Sequence, residues 1–370
     1  MHPAAREAWL AAVDAGYADP LALHRPGRAA RLVLDNARAA VAEALGTRAD
    51  EVSFTGSGSE AIHRGLLGLL EGRARTSRVL VHSAVEQATV LRAAAWWRDR
   101  AGGSTRVLPV TRAGTVDLDA LPGLLTDPPG ALAVQAANPE VGTVQPLEEV
   151  TERAAAPGVP LFVDLAASAG RLDPPTGWAA AAASAHTWGG PPGVGILLVR
   201  HGARWRSALP TDERTDPRVA GLENVPGALA AAAALQATVA ERDSENALLD
   251  RLVEGIRERV ARMPDVEVVG DPQRRLPHVV TFSCLYLDGE QLVRALDQHG
   301  FSVGSGSACT AATVRPSHVL EAMGVLTHGN VRVGLARGTT EEQVDRFLAV
   351  LPGVLERLRA DVPLPRHERT

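Results

Sequence analysis

Pro160-Leu161-Phe162-Val163-Asp164-Leu165-Ala166-Ala167-Ser168-Ala169-Gly170 is the stretch that decides the fold. Leu161-Phe162-Val163 is a short, fully apolar run, which suits a strand buried on both faces of a mostly parallel sheet. Asp164 closes that run at the carboxyl end, the edge where open α/β sheets hold ligands. On its own the carboxylate reads two ways. It could keep a pyridinium nitrogen protonated, or it could cap a helix in the Ala-rich segment that follows.

Working outward, Val79-Leu80-Val81, Ala131 to Gln135 and Gly195 to Val199 are runs of the same kind. Between them lie Ala-, Leu- and Arg-rich helical segments: Leu32 to Leu45, Glu60 to Leu70 and Val85 to Arg98. This alternation predicts an α/β domain. A helical pattern from about Pro226 to Met263 leads out of it. The remainder reads as an α+β unit, with strands at Val266 to Val269, Val279 to Ser283 and Asn330 to Gly334 and helices at Glu290 to Gln298 and Glu341 to Arg359. The polar tail from about Pro363 is expected to fray.

The length of 370 residues fits one large domain with a smaller companion. With 45% apolar but only 4% aromatic residues, the core must be built from Ala, Val and Leu. A net charge of -5 gives no chain-wide attraction to nucleic acid or anionic membrane. The two cysteines, Cys284 and Cys309, exclude a disulfide framework, and a reducing cytoplasm is the expected setting. Met1 to Leu10 has no signal-type apolar run, and no stretch reads as a membrane span. No metal site is expected. One compositional fact outweighs these: the chain contains no lysine, so all 38 basic residues are arginine. Codon bias in a GC-rich genome favours Arg over Lys, but bias alone would spare a lysine needed for chemistry.

Phe54-Thr55-Gly56-Ser57-Gly58-Ser59-Glu60 follows a predicted strand and precedes a helix. Small residues and the positive end of the helix suit an anion. The competing reading is simple capping, with Ser59 closing a helix that begins near Glu60. Gly304-Ser305-Gly306-Ser307-Ala308-Cys309-Thr310 sets a cysteine in a small-residue loop, as a nucleophilic thiolate requires. Cys284, inside an apolar strand, reads as a buried small hydrophobe.

Taken in order, these stretches resemble the cysteine desulfurases, pyridoxal-phosphate enzymes that move sulfur from L-cysteine onto an active-site cysteine. Asp19 to Arg28 is similar to Asn-Pro-Ser-Ser-x-His-x-x-Gly-Arg of that family. Val81-His82-Ser83-Ala84-Val85 is similar to Glu-His-x-Ala-Val, whose histidine stacks on the cofactor ring. Asn138 to Pro146 resembles Asn-Asn-Glu-x-Gly-x-x-Gln-Pro, and Val163 to Gly170 resembles Val-Asp-Ala-x-Gln-Ser-x-Gly. The cysteine loop matches Ser-Ser-Gly-Ser-Ala-Cys-Thr of the housekeeping subgroup, and Val331 to Glu342 matches the final signature. The resemblance covers nearly the whole chain. It implies the fold-type I aminotransferase architecture: a large domain (12–243) with a mainly parallel seven-stranded sheet, and a small α+β domain (1–11 and 244–370). It implies a homodimer with the cofactor cleft at the subunit interface, and a setting in sulfur metabolism. For the site it implies Cys309, His82 and His186 as catalytic groups. Gly58, Ser59, His82, Asp164, Ser184, His186 and the position of Thr187 would hold pyridoxal phosphate, and Arg332 would grip the substrate carboxylate.

The same comparison exposes departures. The family's Ser-x-His-Lys-x-x-Gly-Pro-x-Gly-x-Gly reads Ser184-Ala185-His186-Thr187-Trp188-Gly189-Gly190-Pro191-Pro192-Gly193-Val194-Gly195, so the cofactor lysine falls on Thr187. A hydroxyl cannot form an aldimine or serve as the amine base. The family's cofactor-contacting asparagine falls on Pro139, its glutamine on Ala167, and the threonine that reaches the partner subunit's phosphate on Leu222. Each lost hydrogen bond to a charged group is worth about 1.5–3 kcal/mol. The family's opening strand, ahead of the part matched by His2-Pro3, has no counterpart in this sequence. The expectation is a desulfurase-like protein unable to run the normal reaction alone. It would carry a persulfide on Cys309, accept or pass sulfur to another protein, or form a heterodimer with an active desulfurase. The alternatives are an enzyme using pyridoxal phosphate without a Schiff-base lysine, with His186 beside Thr187, and a purely structural or regulatory subunit.

Overall fold

The computed structural model describes residues 1–210, 216–306 and 316–360. The elements follow in the order α1 (Pro3–Asp14), α2 (Arg25–Ala44), β1 (Val52–Thr55), α3 (Gly58–Arg73), β2 (Val79–Ser83), α4 (Ala88–Asp99), β3 (Ser104–Leu108), α5 (Leu121–Leu125), β4 (Ala131–Ala133), α6 (Leu147–Ala155), β5 (Leu161–Asp164), β6 (Ala180–Ser184) and β7 (Gly195–Val199). After them come α7 (Val225–Ala261), β8 (Val266–Val269), β9 (Val279–Cys284), α8 (Gly289–Gln298), α9 (His318–Met323), β10 (Asn330–Gly334) and α10 (Glu341–Ala360).

The chain divides into two units. The larger contains Met1–Pro109, Val116–Asn138 and Gln145–Asp243. Its seven-stranded sheet runs β1-β7-β6-β5-β4-β2-β3. Strands β3, β2, β4, β5 and β6 are mutually parallel, and β7 runs against both β6 and β1. β1 and β2 to β6 therefore all point their carboxyl ends to one edge, and Thr55, Ser83, Asp164 and Ser184 are the last residues of their strands there. Strands β1, β4, β5, β6 and β7 are buried on both sides, as expected for a parallel sheet covered by helices, while the edge strand β3 is partly exposed. β6 is Ala-Ala-Ala-Ala-Ser, a poor strand sequence by propensity. It is a strand because it is held between β5 and β7 and lies under α3, whose Ala61, Ile62, Leu66, Leu69 and Leu70 form the core with Trp97 and Phe162.

The smaller unit contains Val110–Thr115, Pro139–Val144 and the chain from Ser244. Its antiparallel sheet runs β10-β9-β8. Residues of α7, α8 and α10 pack on it, with Ile256, Phe282, Leu292, Leu296, Val331 and Leu351 buried at the centre. The 139–144 segment belongs here because its backbone is tied in place: Val144 N–H donates to Arg274 O (2.9 Å) and Leu276 N–H donates to Gly142 O (2.8 Å).

Three stretches differ from the expected division: Val110–Thr115 and Pro139–Val144 lie in the smaller unit, and residues 1–11 belong to the larger one. His2 explains the last of these: its N–H donates to Gly189 O at 2.7 Å, and its Nδ1 caps α1 by accepting from Ala4 N–H at 3.1 Å.

Candidate functional site

The glycine-serine turn before α3 is built by local capping. The N-cap is Ser57, whose Oγ accepts from Glu60 N–H at 3.1 Å, so Ser59 is the second helical residue rather than the cap. Glu60 Oε2 accepts from Gly56 N–H (2.9 Å) while its Oε1 takes Arg64 Nε–H (2.6 Å). The chain thus places its own carboxylate at the positive end of α3. Gly58 is glycine for a steric reason: a Cβ there would stand 2.5 Å from Ser184 Cβ and 2.8 Å from Ser184 Oγ. That approach seats the end of β6 directly against the start of α3. Ser59, exposed, has its Oγ 3.3 Å from Thr89 Oγ1.

A 3-10 turn, Ala185–Trp188, follows β6 and ends on Gly189 in the left-handed conformation. Ser184 Oγ and His186 Nδ1 lie 2.9 Å apart, and Thr187 Oγ1–H donates to Ser184 O at 2.8 Å. The structure therefore brings Gly58, Ser184, His186 and Thr187 into one cluster. The Ser184 hydroxyl and the His186 ring are bonded to each other, and the Thr187 hydroxyl is held by the Ser184 backbone carbonyl.

A second group stands along the same sheet edge. Asp164 is buried, with Oδ1 accepting from Ala166 N–H (2.8 Å). It closes a tight turn rather than a helix, which settles the capping alternative: residues 166–171 are turns. Gln87 also hydrogen-bonds its carboxylate. Gln87 Oε1 accepts from Thr89 N–H, so the amide nitrogen is the donor to Asp164. Burial pushes the Asp164 carboxyl up to about 6, against the pull of Ala166 and Gln87. His82 is buried at the end of β2, and its Nδ1 lies 2.9 Å from Ser83 O. A carbonyl can only accept, so Nδ1 carries the proton. Burial lowers the pKa of this ring, which is neutral at pH 7.

Glu86 is the residue that sequence reasoning missed. It is fully buried, and Oε1 accepts from Gln135 N–H at 2.8 Å. The loop it belongs to is held from the other side, where Gln135 Nε2 and Asn138 Nδ2 both donate to Val85 O. Burial pushes the Glu86 carboxyl up to about 8, and the charge of Asp164 adds to the rise. At neutral pH the edge therefore carries one protonated acid, Glu86, beside one carboxylate, Asp164. A glutamate directly before a helix, inside Ala84-Val85-Glu86-Gln87-Ala88, was the available signal.

In the smaller unit, Arg332 sits on β10. Its backbone pairs with Gly304 in both directions (2.9 and 2.7 Å), and Nη1 donates to Pro139 O at 3.4 Å. The half-buried guanidinium can take a carboxylate in bidentate fashion. Glu140 faces it from the neighbouring segment. Cys309 lies outside the described residues.

The model of the family "Aminotransferase class-V" matches residues 14–347. The chain belongs to the class-V aminotransferases. Within that family it is similar to "Cysteine desulfurase IscS 1" of Archaeoglobus fulgidus, 34% identical over 370 residues covering 97% of this chain and 95% of that one. "Cysteine desulfurase NifS" of Azotobacter vinelandii is 33% identical over 354 residues, covering 93% and 87%. Among solved structures, a "NIFS-LIKE PROTEIN" superposes with a TM-score of 0.88 at 27% identity over 97% of both chains.

Pyridoxal phosphate is the cofactor implied by the resemblance. This class-V chain fits part of what it requires. Asp164 is a buried acid for a ring nitrogen, and His82 is a neutral ring on the same edge. The covalent link does not fit: an aldimine needs a side-chain amine, and none exists in the 370 residues.

Proposed function

We propose that this chain is a cysteine-desulfurase-like protein of sulfur metabolism that does not perform pyridoxal-phosphate-dependent desulfuration by itself and carries sulfur on Cys309. The observation behind this reading is the absence of lysine from the whole sequence, with Thr187 standing at the position of the Schiff-base residue. A hydroxyl bonded to the Ser184 carbonyl neither captures an aldehyde nor moves an α-proton. An active desulfurase would supply the sulfur, as a heterodimer partner or in a transient complex, and the chain would otherwise pair with itself as relatives of this fold type do. The transfer needs no cofactor. The Cys309 thiolate attacks the outer sulfur of the donor's persulfide, the donor S–S bond breaks as the new one forms, and the donor cysteine leaves as a thiolate. No net oxidation occurs.

The test is direct. The chain is incubated with an active desulfurase and L-cysteine, then digested without reductant and analysed by mass spectrometry. The Cys309 peptide gains the mass of one sulfur, and a Cys309→Ser variant gains none. The chain alone produces no alanine from L-cysteine. Alanine formation by the purified chain, or an unmodified Cys309, defeats the proposal.

A second reading is supported by Asp164 and His82. In it the larger unit holds pyridoxal phosphate without a covalent bond, Asp164 meeting the ring nitrogen and His82 the ring face. The cofactor would supply an electron sink, and Asp164 would keep its ring nitrogen charged. A visible absorption band after incubation with pyridoxal phosphate and desalting supports it; no band eliminates it.

A further inference from the structure

Strand β10 is an edge of the three-stranded sheet, and its outer side is only partly covered. Arg332 exchanges both backbone bonds with Gly304 on that side, while Leu335 N–H turns inward and donates to His278 O at 2.8 Å. Residues along a strand alternate in direction, so the N–H and C=O of Gly334 face outward like those of Arg332. Ser302 is the next residue in line to pair with Gly334. No backbone bond joins the two, and among the described residues nothing accepts from the Gly334 N–H. The pairing opens instead into a cavity of about 180 Å³ that both residues line.

The cavity lies wholly within the smaller unit. Its base is apolar, with Ile256, Val344 and Phe347 buried there. Phe301 lines it too, its ring 5.4 Å from that of Phe347 in edge-to-face contact. Arg346 is exposed beside them, with Cζ 4.9 Å from the Phe301 ring centroid. A guanidinium over a ring keeps its in-plane N–H groups for a carboxylate. Among the described residues Arg346 has no carboxylate partner, and its acidic neighbours Glu342 and Asp345 do not line the cavity.

We propose that this cavity binds a small carboxylic acid with an aromatic or branched apolar body, the body lying against Phe301 and Phe347 and the carboxylate meeting Arg346 and the Gly334 N–H. Size and charge both select for such a ligand. A dry apolar cavity of about 150 Å³ takes up benzene. A cavity of about 180 Å³ therefore admits one ring or one branched side chain. No Asp or Glu lines it, so Arg346 gives it one uncompensated positive charge. The same chemistry arrives either as a free acid or as the last residue of an extended peptide, whose chain would continue along the open edge of β10. The proposal depends neither on Cys309 nor on cofactor binding.

The experiment titrates phenylacetate into the full chain and follows the ligand by NMR. A ligand of about ten heavy atoms should bind with a Kd of about 1–5 mM. Arg346→Gln removes the charge and weakens phenylacetate by about threefold or more, while benzyl alcohol, the neutral counterpart, stays within about 1.5-fold of the parent. Val344→Phe fills the cavity and abolishes binding of both. Acetyl-Gly-Val-Phe with a free carboxyl end separates the sources. Binding more than about threefold tighter than phenylacetate assigns a peptide end, and anything weaker assigns a free acid. Circular dichroism confirms that each variant is folded. Should Val344→Phe fail to fold, the contrast between the two ligands in Arg346→Gln decides the matter. A phenylacetate Kd above about 20 mM, a loss in Arg346→Gln shared equally by benzyl alcohol, or binding that survives in a folded Val344→Phe overturns the proposal.

Discussion

Replacing Glu86 by Gln should flatten the response of the larger unit's stability to pH. In the folded chain the Glu86 carboxyl is raised from 4.5 to about 8, because burial disfavours its charged form. Between those values the folded state keeps a proton that the unfolded state has lost. The contribution therefore destabilises progressively as pH rises, and it levels off above about 8. At about 1.36 kcal/mol per pH unit, the full penalty is about 5 kcal/mol. Integrating over the part of the rise between about pH 5.5 and 8.5 gives about 3 kcal/mol from Glu86, with about 1 kcal/mol more from Asp164 over the same window. Glutamine keeps the oxygen that accepts from Gln135 N–H and does not ionise. Urea unfolding followed by tryptophan fluorescence reports the larger unit, since all six tryptophans lie in it. The parent should lose about 4 kcal/mol between about pH 5.5 and 8.5, and Glu86→Gln only about 1 kcal/mol. Equal pH slopes in the two proteins would refute the buried protonated acid.

Other expectations concern the turn after β6 and the cysteines. Thr187→Lys introduces the only side-chain amine in the chain; after incubation with pyridoxal phosphate it should show a visible band that borohydride fixes to residue 187, a label the parent lacks at that position. Gly58→Ala forces a methyl group into Ser184 and should destabilise the larger unit by about 1–3 kcal/mol, measured by the same fluorescence titration. Burial pushes the Cys284 thiol up to about 12, so native alkylation at pH 8 should spare it and urea should expose it, as peptide mapping would report.

Much of the fold was legible because periodicity and burial agreed. Leu161-Phe162-Val163 and Gly195 to Val199 read as strands and are strands; the 226–263 helical pattern is α7 with its end at Ala261. β6 was not legible: four consecutive alanines carry no strand signal, and only the neighbours β5 and β7 impose the conformation. The candidate residues were read from motif order; His82, Asp164 and Ser184 lie in or at the ends of β2, β5 and β6, His186 in the turn after β6, and Arg332 on β10. It misplaced the cap of α3, since Ser57 and Ser59 are equivalent in sequence and only the Glu60 N–H distinguishes them. Glu86 and Glu140 stayed hidden because their properties come from burial and from partners 49 residues away at Gln135 or far along the chain at Ser317, which no local pattern records.

A Cβ on Gly306 would stand 3.2 Å from Ser317 Cβ, and this adjacency has a consequence for how such chains can change over time. Two residues already in contact fix where the chain leaves and re-enters the smaller unit, whatever the length of chain between them. Doubling its length would add only about 0.6 kcal/mol of closure entropy. The three-stranded sheet can thus be inherited unchanged while the number of residues between these two contacts varies.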